Sequence, residues 1–158
     1  MIKRLITLLL IFATLFLISS CGGDKYSHAE LVIDLGDNFY SANESNFDKS
    51  YTDGKNVVAI QRLSFEAAYR DGIGETHTPS EFGRLWLLRT GNERPVETDG
   101  EVSYATYYVG EGDEEFLHLA AFYRSRHAYF VVIFATQAGA EIESTEEFLS
   151  YAKTVHFK

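Results

Sequence analysis

The sequence is poor in cysteine, proline and positive charge, and each shortage excludes a class of protein. Cys21 is the only cysteine, so there is no second thiol for an internal disulfide or a cysteine metal site. Pro79 and Pro95 are the only prolines, and aromatic residues make up 15% of the chain, which argues against a disordered stalk. Its 14 lysines and arginines face 23 acidic residues, for a net charge of −9. Such a surface repels phosphate backbones, which argues against nucleic acid as a partner.

Long apolar runs are also scarce, and the one near the start is too short to span a membrane. It covers residues 5–18, interrupted only by two threonines, whereas a spanning helix needs about 20 apolar residues. The run follows Lys3 and Arg4 and ends at Ser19, Ser20 and Cys21. A basic start, an apolar stretch of this kind and small residues at the end are the parts of a secretory signal peptide.

The end of this signal, Ile18-Ser19-Ser20-Cys21, resembles the bacterial lipobox. The resemblance implies that the Cys21 thiol takes a diacylglyceryl group, that cleavage falls between Ser20 and Cys21, and that the new amine receives a further acyl chain such as palmitate. Two or more chains hold a protein stably at a bilayer. The alternative is an ordinary signal peptide with a chance cysteine after the cut.

The anchor predicts where the protein resides. We expect a lipid-anchored protein of the cell membrane or outer membrane, with its domain facing the periplasm or the cell exterior. Gly22, not aspartate, follows the cysteine. In lipoproteins of the enteric type, this implies the outer membrane where the host has one. The predicted division is a signal peptide at 1–20, a lipidated cysteine and tether at 21–30, and one α+β domain at 31–158.

Within the domain, local patterns predict the first elements. Residues 31–35 are rich in β-formers and precede a turn at Gly36, whereas residues 41–49 are polar and predict a surface loop. Asp53-Gly54 predicts a tight turn. An apolar run at residues 57–60 follows, and Leu63, Phe65, Ala67 and Tyr69 then alternate with other residues, which predicts one long strand. A short helix over residues 66–70 is the competing interpretation.

The second half carries clearer signals. Thr78-Pro79-Ser80-Glu81 is a capping box with proline at the first helical position, and Gly91 predicts the helix end. The apolar face of this helix is predicted to hold Phe82, Leu85, Trp86 and Leu88. A three-stranded meander follows over residues 102–109, 116–124 and 128–136, with the last strand in the sheet centre because it is nearly all apolar. A second capping box at Ser144 predicts a helix to residue 153, and residues 154–157 predict a closing strand.

This order of elements resembles the PsbP-like family. The ending carries most of the likeness: an apolar strand at 129–134, a helix through 148–152 and a strand at 155–157. The resemblance implies an α/β/α sandwich with a central antiparallel sheet, and a binding or assembly role. No invariant motif carries it, so no family site residue is transferred.

Candidate catalytic and metal-binding groups are scattered. No two of the five histidines have the i, i+4 spacing of a zinc helix. Glu75, His77 and Glu81 form a conceivable weak metal site, but solvation and helix-dipole complementarity account for these acids as well. His118 alternates with apolar residues and predicts a half-buried strand histidine. We therefore predict no catalytic residue, no metal and no cofactor.

Aromatic residues are the more informative feature, because they crowd the meander. A partly open aromatic groove formed by Tyr104, Tyr108, Tyr123 and Tyr129 is a speculative binding site; core packing is the competing interpretation. The leading functional prediction is a non-enzymatic envelope lipoprotein that binds a protein partner. A small-molecule or peptide binder using the tyrosines is the alternative. A hydrolase with a scattered active site comes third.

Overall fold

A computed structural model describes residues 26–44, 46–139 and 141–158; the predicted signal peptide, its cleavage position at Ser20 and the lipidation site at Cys21 lie outside them. The side chains of residues 141–143 are likewise not described. The strands are β1 (Ser27–His28), β2 (Leu31–Val32), β3 (Tyr40–Ala42), β4 (Lys49–Thr52), β5 (Asn56–Ser64), β6 (Glu97–Asp99), β7 (Val102–Val109), β8 (Phe116–Arg124), β9 (Ala128–Gln137) and β10 (His156–Phe157). The α-helices are α1 (Phe65–Arg70), α2 (Pro79–Arg89) and α3 (Glu141–Ala152).

The described chain is built on one seven-stranded antiparallel sheet. Its strand order is β3-β4-β5-β9-β8-β7-β6. The predicted meander is confirmed: β7 and β8 have the expected bounds, and β9 runs one residue further to Gln137. The central position of β9 is also confirmed, because β5 and β8 flank it and both of its faces are buried.

Helices cover the two faces of this sheet and create two cores, which confirms the predicted α+β class with α/β/α layers. Phe148 of α3 packs with Phe130, Phe134 and Tyr123 on the first face. Phe82 and Leu87 of α2 pack with Phe122 on the second. The period-two alternation of strand side chains explains the division, because neighbouring residues of β8 and β9 serve opposite cores.

A second, three-stranded sheet joins both ends of the domain, in the order β1-β2-β10. Tyr26 is buried, and its hydroxyl lies 2.6 Å from the Gly36 carbonyl and 3.0 Å from that of Phe39. The Tyr51 hydroxyl accepts a hydrogen bond from the Ser27 N–H at 3.1 Å. Residues 26–30, predicted as tether, therefore belong to the folded domain. Their apolar and hydroxyl contacts come from distant positions, which a local reading of composition does not reveal.

The long strand predicted from Val57 to Tyr69 is wrong in its second half, and the competing helix is present. β5 ends at Ser64, whose hydroxyl accepts the Ala67 N–H at 3.2 Å and caps α1. A serine at the N-cap satisfies a helix donor that would otherwise lack a partner. The apolar residues beyond Ser64 are compatible with a strand or with a short helix. The hydrogen bond from the Ala67 N–H to the Ser64 hydroxyl favours the helix.

The start of α2 is confirmed. Thr78 and Glu81 form a reciprocal capping box, Pro79 is the first helical residue, and Gly91 adopts a φ of +76° after the helix. The predicted apolar face needs one correction. Leu87 is buried, whereas Leu88 is 57% exposed, because it lies one residue (about 100°) further round the helix.

Four other boundaries differ from expectation. The capping box predicted at Ser144 is wrong, because α3 begins at Glu141 and Ser144 is a buried residue inside it. Only Leu31–Val32 of the predicted strand 31–35 pairs, since the Asp34 carboxylate accepts the Gly36 N–H and turns the chain. The loop predicted at 41–49 is shortened by β3 and β4. The closing strand is limited to His156–Phe157 and pairs with β2.

None of the helices in the described part of the chain has both the length and the apolar character that a membrane crossing requires.

Candidate functional site

An open groove lies beside α2, and we call it the α2 groove. One wall is the outer side of the helix, where the i, i+4 spacing aligns Ser80, Arg84 and Leu88. The other wall is residues 92–96, which lead from α2 to the edge strand β6. The groove has a volume of about 660 Å³. This exceeds the roughly 300 Å³ at which ligand pockets begin.

Local hydrogen bonds fix both walls. The capping box sets the start of α2, with Glu81 accepting from the Thr78 N–H at 2.8 Å and Thr78 Oγ1 at 3.0 Å. These bonds lower the pKa of the Glu81 carboxyl. On the second wall, the Asn92 N–H donates to the Leu87 carbonyl at 2.8 Å, and Asn92 Oδ1 accepts the Arg94 N–H at 3.2 Å. The segment is therefore held against the helix end before the chain enters β6.

The α2 groove contains two arginines whose guanidinium groups have no ion pair with any described residue, Arg84 and Arg94. By contrast, Arg89 of the same helix pairs with Asp71, and Arg70 of α1 pairs with Glu66 at 2.9 Å. A guanidinium presents five N–H donors in a planar arrangement that matches a carboxylate. The carboxylates of Glu81 and Glu93 also line the groove, so its formal charges balance. The two guanidinium groups are therefore local binding sites for a carboxylate, not a positively charged patch.

Apolar surface lies between these charges. Leu88 is 57% exposed, although most leucines of a folded domain are buried. Pro95 and Val96 contribute further apolar surface from the opposite wall. A ligand that binds here can combine burial of an apolar side chain with a charge-assisted hydrogen bond.

The four tyrosines predicted to form an aromatic groove are not brought together. Tyr104 and Tyr108 lie on one face of β7, where the Tyr104 hydroxyl donates to Glu97 Oε2 at 3.1 Å and Tyr108 is 45% exposed. Tyr123 is buried on that face and donates to the Ala152 carbonyl of α3 at 2.8 Å; its burial raises its pKa. Tyr129 lies on the opposite face, stacked on Phe82. Core packing therefore uses Tyr123 and Tyr129, and Tyr104 packs against the edge of the first core.

A hydroxyl, a carboxylate and a histidine do meet at the β8–β9 turn. The Ser125 hydroxyl donates to Glu30 Oε1 at 2.7 Å and accepts the backbone N–H of His127 at 3.1 Å and of Ala128 at 3.0 Å. Burial alone would raise the pKa of Glu30, but the Ser125 hydrogen bond and the Arg62 charge leave it lowered. Among the described residues, the His127 ring bonds to neither partner. The hydroxyl is buried and serves the turn, and the histidine ring is not hydrogen-bonded to it, so the three groups do not form a serine–histidine–carboxylate chain.

The groups considered for metal binding serve the local backbone. His77 Nδ1 lies 2.9 Å from the Gly74 carbonyl, which can only accept, so this nitrogen carries the proton. Glu81 is occupied by the capping box, and Glu75 uses its carbonyl to accept from the Arg124 Nε–H at 2.8 Å. Within the described ranges, no three metal-ligating side chains gather into a possible site. His118 is half-buried on β8, and burial lowers its pKa.

Sequence reasoning missed Arg84, Arg94 and Pro95, and it placed Leu88 in the core. The available signal was weak: arginine and leucine at positions 84 and 88 share a helix face, and Arg94-Pro95 follows the helix end closely. The groove exists because residues 92–96 fold back beside α2. That arrangement depends on tertiary packing, which the local sequence does not indicate.

Comparisons with known proteins bear on the fold. No protein-family model and no curated protein matches the chain. A protein from Bacteroides thetaiotaomicron VPI-5482, whose crystal structure was determined at 1.50 Å, is similar with a TM-score of 0.55 and 10% identity. The similarity covers 81% of this chain and 45% of that one, so this chain spans less than half of it. At this identity the likeness concerns the fold alone.

A second similar structure is the solution structure of cyanobacterial PsbP (CyanoP) from Synechocystis sp. PCC 6803. Its TM-score is 0.49 and its identity is 14%, over 89% of this chain and 99% of that one. That protein belongs to the family that the sequence resembles.

Proposed function

We propose that the protein is a lipid-anchored envelope protein whose domain is a non-catalytic binding module for a protein partner. The observation that carries the proposal is the α2 groove, with Leu88 exposed between Arg84 and Arg94. The partner is a segment that presents an apolar side chain to Leu88 and a carboxylate to the two arginines. Interfaces of this kind depend on a few central anchors, among which arginine is frequent.

Charge supports the choice of partner. The chain has a net charge of −9, so most of its surface repels an acidic segment. Two arginines without an ion pair then provide local attraction at one place. Complementarity of this kind favours one orientation of encounter more than it raises affinity. Because Glu81 and Glu93 also line the groove, the arginines would orient a carboxylate at short range and would not attract an acidic partner from a distance.

The anchor is the second part of the proposal. Ile18-Ser19-Ser20-Cys21 resembles the lipobox, and Cys21 is the only cysteine of the chain. Acylation would hold the domain at the membrane in spite of its acidic surface, because two acyl chains bind a bilayer stably. Confinement to the membrane raises the local concentration of the partner without any new contact.

In-cell crosslinking and pull-down of the tagged protein tests both parts. We expect one envelope protein to be captured by the wild-type chain, and its yield to fall several-fold with the double variant Arg84→Ala/Arg94→Ala. Arg126→Ala is the matched control, because this exposed arginine lies at the β8–β9 turn and has no ion pair among the described residues. An equal loss of yield with Arg126→Ala would contradict the proposal that the α2 groove binds the partner. An unchanged yield with the double variant would contradict it as well.

Cys21→Ser tests the anchor separately. We expect this variant to lose labelling by a radioactive or clickable palmitate and to leave the membrane fraction. Retention of the label would show that the acyl chain is attached elsewhere. Because the folded domain is unchanged, the purified Cys21→Ser protein should still bind the captured partner in solution.

A further inference from the structure

A second concave surface lies on the other side of α2, and its chemistry differs from that of the α2 groove. It is bounded by α2, by the end of α1 and by β5, and we call it the α2–β5 cleft. Its volume is about 290 Å³, close to the lower limit of about 300 Å³ for small-molecule pockets. A site of this size suits one small molecule or one unit of a larger one.

The floor of the α2–β5 cleft is apolar and rigid. Ile73 and Val131 are each 1% exposed and belong to the core beneath the helices. Trp86 and Leu63 are half-buried beside them. The Trp86 ring packs against Phe122 with centroids 5.8 Å apart, which helps to fix its position. Ile73 and Val131 thus support the cleft from beneath, and the apolar surface that a ligand could contact comes from Trp86 and Leu63.

The rim is polar but electrically balanced. Asp71, which caps the end of α1, accepts from Arg89 Nη1 of the last turn of α2 at 2.5 Å. This contact uses one of five guanidinium donors and one of two carboxylate oxygens, so both groups retain hydrogen-bonding capacity. The two charges cancel, and the pair holds the ends of the two helices together beside the cleft.

Two further polar groups in the cleft have no side-chain partner. Neither the Gln61 carboxamide nor the Trp86 indole N–H makes a hydrogen bond with another described residue. Thr90 Oγ1 donates to the Leu87 carbonyl at 3.0 Å and can still accept. The cleft thus provides donors from Gln61, Trp86 and Arg89, and acceptors from Gln61, Asp71 and Thr90.

These properties select the class of ligand. Because the Asp71 and Arg89 charges cancel, the rim offers no net attraction to an anion or to a cation, and either ion would face one group of like charge. A wholly apolar molecule would cover Gln61 and the indole N–H and leave them without hydrogen bonds, which is costly. The remaining class is neutral, has several closely spaced donors and acceptors, and has a non-polar face. Sugars have this combination, with C–H groups on the ring face and hydroxyls around its edge.

We propose that the α2–β5 cleft binds a neutral saccharide unit, with Trp86 at the ring and Gln61 and the Asp71–Arg89 pair at its polar substituents. An acetamido group would supply the amide donor and acceptor that complement the Gln61 carboxamide. This site uses the opposite side of α2 from the α2 groove and does not depend on the protein partner.

The single tryptophan of the chain makes the site directly observable, because all tryptophan emission reports on the cleft. The experiment titrates the purified domain with N-acetylglucosamine and follows Trp86 fluorescence. We expect a saturable change in emission and a rise in Tm, since a ligand that binds only the native state stabilises it. N-acetylglucosamine 6-phosphate, which differs from the probe only by an anionic group, should bind at least about tenfold more weakly.

Gln61→Met provides the matched variant, because it keeps the length of the side chain and removes its polar atoms. We expect it to weaken N-acetylglucosamine binding about tenfold, the effect of losing hydrogen bonds worth about 1.4 kcal/mol. Arg84→Ala, in the other surface, should leave it unchanged. If Gln61→Met does not fold, Gln61→Leu serves, because it also removes both polar atoms of the carboxamide. The proposal is overturned if emission is unchanged up to the solubility limit of the sugar, if the Gln61 variant binds equally well, or if the phosphorylated sugar binds more tightly.

Discussion

Gly83 shows how much one residue decides in the packing of α2 on the sheet. A Cβ atom at this position would lie 2.4 Å from Phe122 Cδ2, far inside van der Waals contact. Glycine is usually unfavourable inside a helix, so its presence here is explained by the close approach of helix and strand. Phe122 also packs edge-to-face with Phe82 at 5.9 Å, which leaves its ring little room to move.

We therefore predict that Gly83→Ala lowers the free energy of unfolding by about 1–3 kcal/mol, the usual range for overpacking a core. Urea denaturation measures the change. Gly83→Ala should cost less when it is introduced into Phe122→Leu than when it is introduced into the wild type, because the smaller side chain at position 122 relieves the contact. Exposed Arg84→Ala, one position along the helix, is the control and should be nearly neutral. A stable Gly83→Ala protein would contradict the described contact.

His118 is the second residue whose surroundings predict a measurable effect. It stands opposite Tyr107 in the β7–β8 pair, with ring centroids 5.4 Å apart. Burial lowers its pKa below the usual 6.5, so the folded state binds fewer protons than the unfolded state as the pH approaches that value. The contribution of this histidine to stability is therefore complete above pH 6.5 and is lost as the pH falls through the folded pKa.

The expected result is a decline in urea midpoint between about pH 7.5 and 5.5 that is shallower in His118→Gln than in the wild type. The carboxyls with shifted pKa, Glu30 and Glu81, lie below their usual 4.5 and titrate outside this range. The difference between the two proteins isolates His118 from the other histidines. Parallel pH profiles would show that position 118 does not contribute.

At the scale of elements, α2 is the one on which both concave surfaces depend. Its start is set by Thr78, whose Oγ1 accepts the Glu81 N–H at 3.2 Å. We predict that Thr78→Ala reduces stability by about 1 kcal/mol, the typical value of an N-cap. Thr78→Ser keeps the hydroxyl and should restore most of it. Urea denaturation distinguishes these outcomes, and an equal loss in both variants would assign the effect to the threonine methyl group.

The elements also show which sequence signals determine structure. Thr78 and Gly91 bound α2 by local chemistry, and the polar turn residues between the apolar runs of β7, β8 and β9 separate the three strands of the meander, so both were predictable. Ser64 and Ser144 were not. Each is a serine near an acidic residue, yet one caps a helix and the other is buried within one. That difference depends on what packs against the segment, and local sequence does not contain it.

At the scale of the whole molecule, the contacts that sequence reasoning missed are those that join distant parts of the chain. Ser125 and Glu30 are 95 residues apart, and the Lys158 N–H donates to the Glu30 carbonyl at 3.0 Å. The α2 groove has the same origin, because its second wall is a segment with no marked composition. The four tyrosines predicted to form one aromatic groove are divided between two faces of the sheet, because successive side chains of a strand point to opposite faces.

The docking of residues 26–30 has a consequence for how the protein would search for its partner. Tyr26 is buried in the domain and lies five positions after Cys21. A fully extended backbone of that length spans at most about 18 Å. If Cys21 carries the lipid, Tyr26 stays within about 18 Å of the membrane surface. Lateral diffusion in two dimensions would then supply encounters, and a partner whose binding segment stands well above the bilayer would remain out of reach. Inserting a flexible spacer after Gly22 would increase that distance.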